Sequence, residues 1–205
     1  WLATVVVSGI SYLSYLLKRY VFHESGTLVS GIIGGLYSST ATISVLARKS
    51  RKASEQEATD YVAAMLLAVS MMFLRFMILI LIFSREIFLS IYPYLLTMAV
   101  VAAIVAWFIH SRQKRPEDQP AETEEDDSSN PLEFKVALIF AVLFVIFTFL
   151  THYTLVYAGT GGLNLLSFVS GFSDITPFIL NLLQNTGSVA ALIITACSMQ
   201  AIISN

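Results

Sequence analysis

The stretch Gly31-Ile32-Ile33-Gly34-Gly35-Leu36-Tyr37-Ser38-Ser39-Thr40-Ala41-Thr42 decides the fold. It lies in the middle of an apolar segment, residues 26–47, and interrupts it with glycines and small hydroxyl side chains. Ten residues run from Gly26 to Gly35 and ten from Ser38 to Ala47. Each set makes about 15 Å of helix at about 1.5 Å per residue, roughly half of a ~30 Å hydrocarbon layer. The segment therefore reads as two short helices meeting in an irregular polar tip, with Gly34 and Gly35 as the break and Ser38, Ser39, Thr40 and Thr42 lining it.

A second break follows later in the chain. Gly34 to Ala41 aligns with Ser170-Gly171-Phe172-Ser173-Asp174-Ile175-Thr176-Pro177 at an offset of 136, inside the apolar segment 161–183. Gly171 suits the end of one helix. Thr176-Pro177 suits the start of the next, because a threonine oxygen can cap free amides and proline fills the first position without wasting a donor. Ala63 to Leu67 aligns with Ala190 to Ile194 at an offset of 127, and Leu17-Lys18-Arg19-Tyr20 faces Leu150-Thr151-His152-Tyr153. Three matches in one order point to an internal duplication.

Composition sets the environment. Of the 205 residues 56% are hydrophobic and 13% charged, against about 25% charged in an ordinary soluble domain. That leaves too little polar surface to coat a water-facing particle, so a lipid bilayer is the expected solvent. Apolar segments fall at 2–17, 26–47, 61–83, 87–109, 136–150, 161–183 and 188–203, and helix is their expected state, because lipid offers no partner to an exposed backbone. The fold expected is an all-α polytopic membrane protein: a first repeat over 1–84, a linking transmembrane helix over 85–110, an acidic disordered loop over 111–132 and a second repeat over 133–205. That loop holds Glu117, Asp118, Glu122, Glu124, Glu125, Asp126 and Asp127, half of the 14 acidic residues, so the net charge of −2 is an average over uneven stretches and points to no nucleic-acid partner. The chain starts at Trp1 and is expected to be part of a longer polypeptide. Cys197 is the single cysteine and reads as a small buried hydrophobe.

Two topologies follow from the breaks. If every segment crosses, Arg48, Lys49, Arg51, Lys52, Arg112, Lys114, Arg115 and Lys135 lie opposite Lys18, Arg19 and Arg85. If both broken segments are re-entrant hairpins, Lys18 and Arg19 join the larger group and Arg85 stands alone. The positive-inside rule prefers the second, and with five full crossings the repeats become inverted, their tips meeting at the midplane.

Two charges fall inside apolar segments. Asp174 is the only acid so placed, and Arg75 is its basic counterpart, fifteen residues into segment 61–83. An intramembrane carboxylate is costly and is kept for function. The pair either neutralise each other, or Asp174 binds a cation or proton while Arg75 faces an anionic group. Asn164, Asn181, Asn185 and Gln200 read as helix-to-helix hydrogen bonds or as part of a polar cavity.

The runs Ile10-Ser11-Tyr12, Gly31 to Thr42, Leu46-Ala47-Arg48-Lys49-Ser50-Arg51, Phe73-Leu74-Arg75 and Ser170-Gly171-Phe172-Ser173-Asp174 together resemble the membrane domain of unknown function that follows the MgtC/SapB region in prokaryotic proteins. The resemblance implies an N-terminal MgtC-like membrane region in the same polypeptide and a place in the prokaryotic inner membrane, with loop 111–132 cytoplasmic. It supplies no reaction. The family pattern often carries a second aspartate two positions after the first, where this chain has Thr176. One carboxylate suits Na⁺ or H⁺ better than a divalent metal.

The function expected is a secondary transporter or permeation domain for a small ion or solute, with Ser38, Ser39, Thr40, Thr42, Ser173, Asp174 and Thr176 at a central site. The alternative is a non-transporting regulatory or assembly domain whose small residues pack helices. A second copy of the chain is a further candidate partner. Enzymatic chemistry is not expected: His23, His110 and His152 fall at segment ends, away from the serines of the tips, and neither a zinc-binding spacing nor a phosphate-cradling motif occurs.

Overall fold

The computed structural model describes residues 26–112, 134–172, 175–184 and 190–205, together with Val5, Gly9 and Tyr12. Regular structure among the described residues is α-helical: α1 (Thr27–Ser50), α2 (Glu55–Phe83), α3 (Arg85–Ser111), α4 (Phe134–Ser170), α5 (Ile175–Gln184) and α6 (Ala191–Ser204). The acidic run from Glu117 to Asp127 lies outside the described residues.

The frame is the antiparallel pair α2 and α3. Ser54 starts α2 with a capping box: its Oγ accepts from the Glu57 amide, and its own amide donates to Glu57 Oε2 at 3.0 Å. A single residue, Ser84, turns the chain. Its amide donates to Ile80 O to close α2, and its Oγ accepts from the Ile87 amide to open α3. Midway, Ser70 Oγ donates to Ala99 O at 2.8 Å, and at the far end His110 Nδ1 meets Asp60 Oδ1 at 2.9 Å. Both helices are long and apolar enough to cross a membrane, as is the span Ala141–Ser170 of α4.

The expected interruption of α1 is present, three residues later than Gly35. Gly34 and Gly35 are helical, and the backbone leaves the helix at Ser38 (φ −155°, ψ 101°). Ser38 Oγ accepts from the Ala41 amide at 3.4 Å and so caps the second arm. The two arms, 27–37 and 39–50, fold back on each other, because a Cβ at Gly34 would run into the side chain of Thr42. In one straight helix those residues would lie about 12 Å apart. Hydroxyl chemistry, rather than glycine flexibility, places the break.

The glycines serve close packing. A Cβ at Gly31 would enter the backbone of Ala64, and one at Gly35 would reach within 2.6 Å of Ala68 Cα. Small residues four apart on both helices let two backbones touch. The equal spacing makes the first arm parallel to α2, and both ends of α1 therefore lie near the start of α2.

The second half differs from expectation in its boundaries. α4 is one 37-residue element that runs on past residue 150, where the apolar segment 136–150 was expected to end, and Thr151 is 1% exposed. Its interruption is at Gly159 (φ 58°, ψ −150°), a left-handed conformation that suits glycine. α4 closes at Ser170, the amides of Gly171 and Phe172 turning back on Phe168 O and Val169 O. α5 starts at Ile175, so Thr176 is not the cap and Pro177 sits inside the first turn, where its missing amide has no helical partner to lose. From Ile175 to Leu183 every residue of α5 is buried. Asn181 Nδ2 donates to Thr148 Oγ1 at 2.7 Å, and the Phe147 and Phe178 rings stand 5.6 Å apart, tying α5 to α4. Asn181 and Asn164, the latter accepting from Cys197 Sγ at 3.4 Å, act as helix-to-helix bonds, and Cys197 is fully buried.

Introducing a side chain at the α1–α2 contact overpacks it. Gly35→Val should cost about 1–3 kcal/mol and lower the thermal midpoint of the purified chain in detergent. Gly26→Val, whose Cβ would meet nothing within 4 Å, should leave the midpoint in place.

Candidate functional site

Both breaks connect to the same stretch of α2, the first directly and the second through the end of α6. Gly35 lies on Ala68, so three residues further the first break comes level with Met71 and Met72. At the second, Gly171 packs against Ser204 at the end of α6, and the next residue, Asn205, donates from Nδ2 to Met72 Sδ at 3.4 Å. Met72 stands near the middle of the 29-residue α2. One turn further along the helix is Arg75, the charged residue of segment 61–83, half-buried.

The two halves meet this level from opposite ends of α2. The first hairpin packs on Ala64 and Ala68, towards its start. The core of the second half uses Phe76, Leu79 and Ile80 of α2 and Ile87, Ile91 and Leu95 of α3, against Phe178, Ile179, Leu182 and Ile194. Exposed Arg48, Lys49, Arg51, Lys52 and Arg112 collect at the end where α2 starts and α3 stops, whereas Arg85 lies at the other.

Spacing in the two halves also corresponds. Ser39 follows the kink of α1 and Ile175 opens α5, Glu55 and Ala191 open α2 and α6, and Gly35 packs on Ala68 while Gly171 packs on Ser204. Members of each pair are 136 residues apart throughout. Ala63, expected to align with Ala190, lies two turns inside α2, whereas Ala190 is the residue before α6. The stretch around Lys18 that was aligned with Leu150 lies outside the described residues.

The expected site residues are distributed as follows. Ser38 and Ser39 are half-buried at the first tip; Thr40 is exposed, its carbonyl accepting from Ser44 Oγ at 2.8 Å. Thr42 is half-buried and turned towards Gly34, and Thr176 is buried within α5. Ser173, Asp174 and Asn185 lie outside the described residues, and Gln200 is half-buried in α6. No group of three or more His, Cys, Asp or Glu side chains suited to a metal ion occurs among the described residues. Sequence reasoning did not find Met72, Ser204 or Asn205. An uninterrupted offset of 136 would have paired Ser204 with Ala68.

Helices long and apolar enough to cross a bilayer, with polar breaks held against them, define an all-α protein of membrane type. Residues 5–205 match DUF4010, a domain of unknown function, and the chain belongs to that family, as the resemblance led one to expect. No curated protein and no solved structure matches it.

Single cysteines in a Cys197→Ser background test the arrangement. Cysteines at Lys49, Arg112 and Thr40 should react with an impermeant thiol reagent from one face of the membrane, and a cysteine at Arg85 from the other.

Proposed function

We propose that this domain is a secondary transporter or permeation module for a small ion or solute, with its site where the two breaks meet at the bilayer midplane. What supports the reading is that the first break comes level with Met72 and that Asn205, next to the Ser204 on which Gly171 packs, bonds the same Met72. An interrupted helix takes amide and carbonyl groups out of the helical ladder at a depth where lipid cannot bond them, and ions or polar solutes are what such groups can hold.

On this reading the halves are inverted repeats, and the broken segments are re-entrant hairpins. Ser38, Ser39, Thr40 and Thr42 line the site from the first tip, and Ser173, Asp174 and Thr176 from the second. Asp174 takes the coupling Na⁺ or H⁺, and Arg75 either balances it or meets an anionic group of the solute. The activity is not enzymatic. The domain works in a prokaryotic inner membrane beside an MgtC-like region of the same polypeptide. The basic end of the bundle and residues 111–132 face the cytoplasm.

A non-transporting regulatory or assembly domain is the second reading. Gly31 and Gly35 favour it, since they are used to pack α1 on α2. Of the hydroxyl residues after them, Thr40 is exposed, which is why transport is preferred.

Flux into proteoliposomes decides between them. Asp174→Asn should lower flux at least tenfold while the chain stays folded and monodisperse; unchanged flux would remove Asp174 from the mechanism. Intact wild-type protein that carries no ion or solute flux would favour the second reading.

A further inference from the structure

We propose that the groove between α2 and α3 is a binding site for one anionic phospholipid, its headgroup held by Arg112 and one acyl chain lying along the helices. The proposal needs the domain to sit in a bilayer but is independent of transport. The groove has a volume of about 400 Å³ and is walled by Leu66 and Phe73 of α2 and by Thr97, Met98, Val101 and Val105 of α3. All but Thr97 are apolar.

Its direction is set by helical geometry. Val101, Val105, Phe108 and Arg112 follow one another at intervals of four, three and four residues, so they share one face of α3. The groove thus leads along that face to the exposed Arg112, whose guanidinium lies 4.1 Å from the centre of the Phe108 ring. From Thr97 to Arg112 the helix rises about 22 Å. That spans one ~15 Å hydrocarbon leaflet and reaches the headgroup layer. Trp107, 71% exposed beside this end, suits the same interface.

Charge selects the headgroup. Among the described carboxylates at this end, Asp60 meets His110 and Glu57 meets Ser54. Arg112 is exposed at the end of its spanning helix, and basic residues directly beside a spanning helix attract anionic lipid. The His110 and Asp60 contact holds the two walls together at the headgroup end.

The test is native mass spectrometry of the full chain released from nanodiscs of equal phosphatidylglycerol and phosphatidylcholine with matched acyl chains. Wild type should retain phosphatidylglycerol in preference. Arg112→Gln should reduce that preference about fivefold, the effect of one cation at a membrane surface, whereas Arg48→Gln with Lys49→Gln should preserve it. Val101→Trp, which fills the groove, should reduce retention of both lipids. An undiminished preference in Arg112→Gln would overturn the proposal. So would a Val101→Trp variant that changes oligomeric state and keeps its lipid, which would give the groove to a second copy of the chain.

Discussion

Backbone contact between α1 and α2 is the interaction on which the arrangement depends. Gly31 on Ala64 and Gly35 on Ala68 leave no room for a side chain between the helices. Because the contacts repeat at the same interval on both, they set the direction of the arm and the level at which it stops. Lipid supplies no hydrophobic drive for helices to associate, so small residues and close dispersion contact must do so. The polar tip is held at a fixed depth by residues that are not polar.

The second half reaches the same level with different chemistry. Gly171 again gives the close approach, but its partner is Ser204, and the link to the frame is the Asn205 amide on Met72. Around this contact α5 is buried along its length, and its Asn181 and Thr148 bond crosses to α4. The first hairpin, by contrast, leaves Thr40, Ala41, Ser44 and Val45 exposed. The two regions thus sit in unlike surroundings, one open and the other apolar and enclosed.

Gly159 and Pro177 show how local chemistry is moved by context. A proline preceded by threonine satisfies the grammar of a helix start, yet α5 begins at Ile175, because proline is tolerated throughout a first turn whose amides have no helical acceptor. Gly159 is followed by Thr160, and Gly161 and Gly162 stand close by. Only the left-handed backbone at the first of the three distinguishes it.

Much of this was legible in the amino-acid order alone. The scarcity of charge required lipid as solvent, the apolar lengths required helices, and the glycines with the hydroxyl residues after them pointed to an interruption at Gly34 and Gly35, three residues short of where it falls. The pairing of Asn181 with Thr148, the closeness of Asp60 and His110, and the bond from Asn205 to Met72 were decided by tertiary structure. Those contacts join residues 33, 50 and 133 positions apart, and no local preference specifies which turn of one helix lies against which turn of another. That choice is made by shape, where glycine lets one backbone approach and a larger side chain would keep it away.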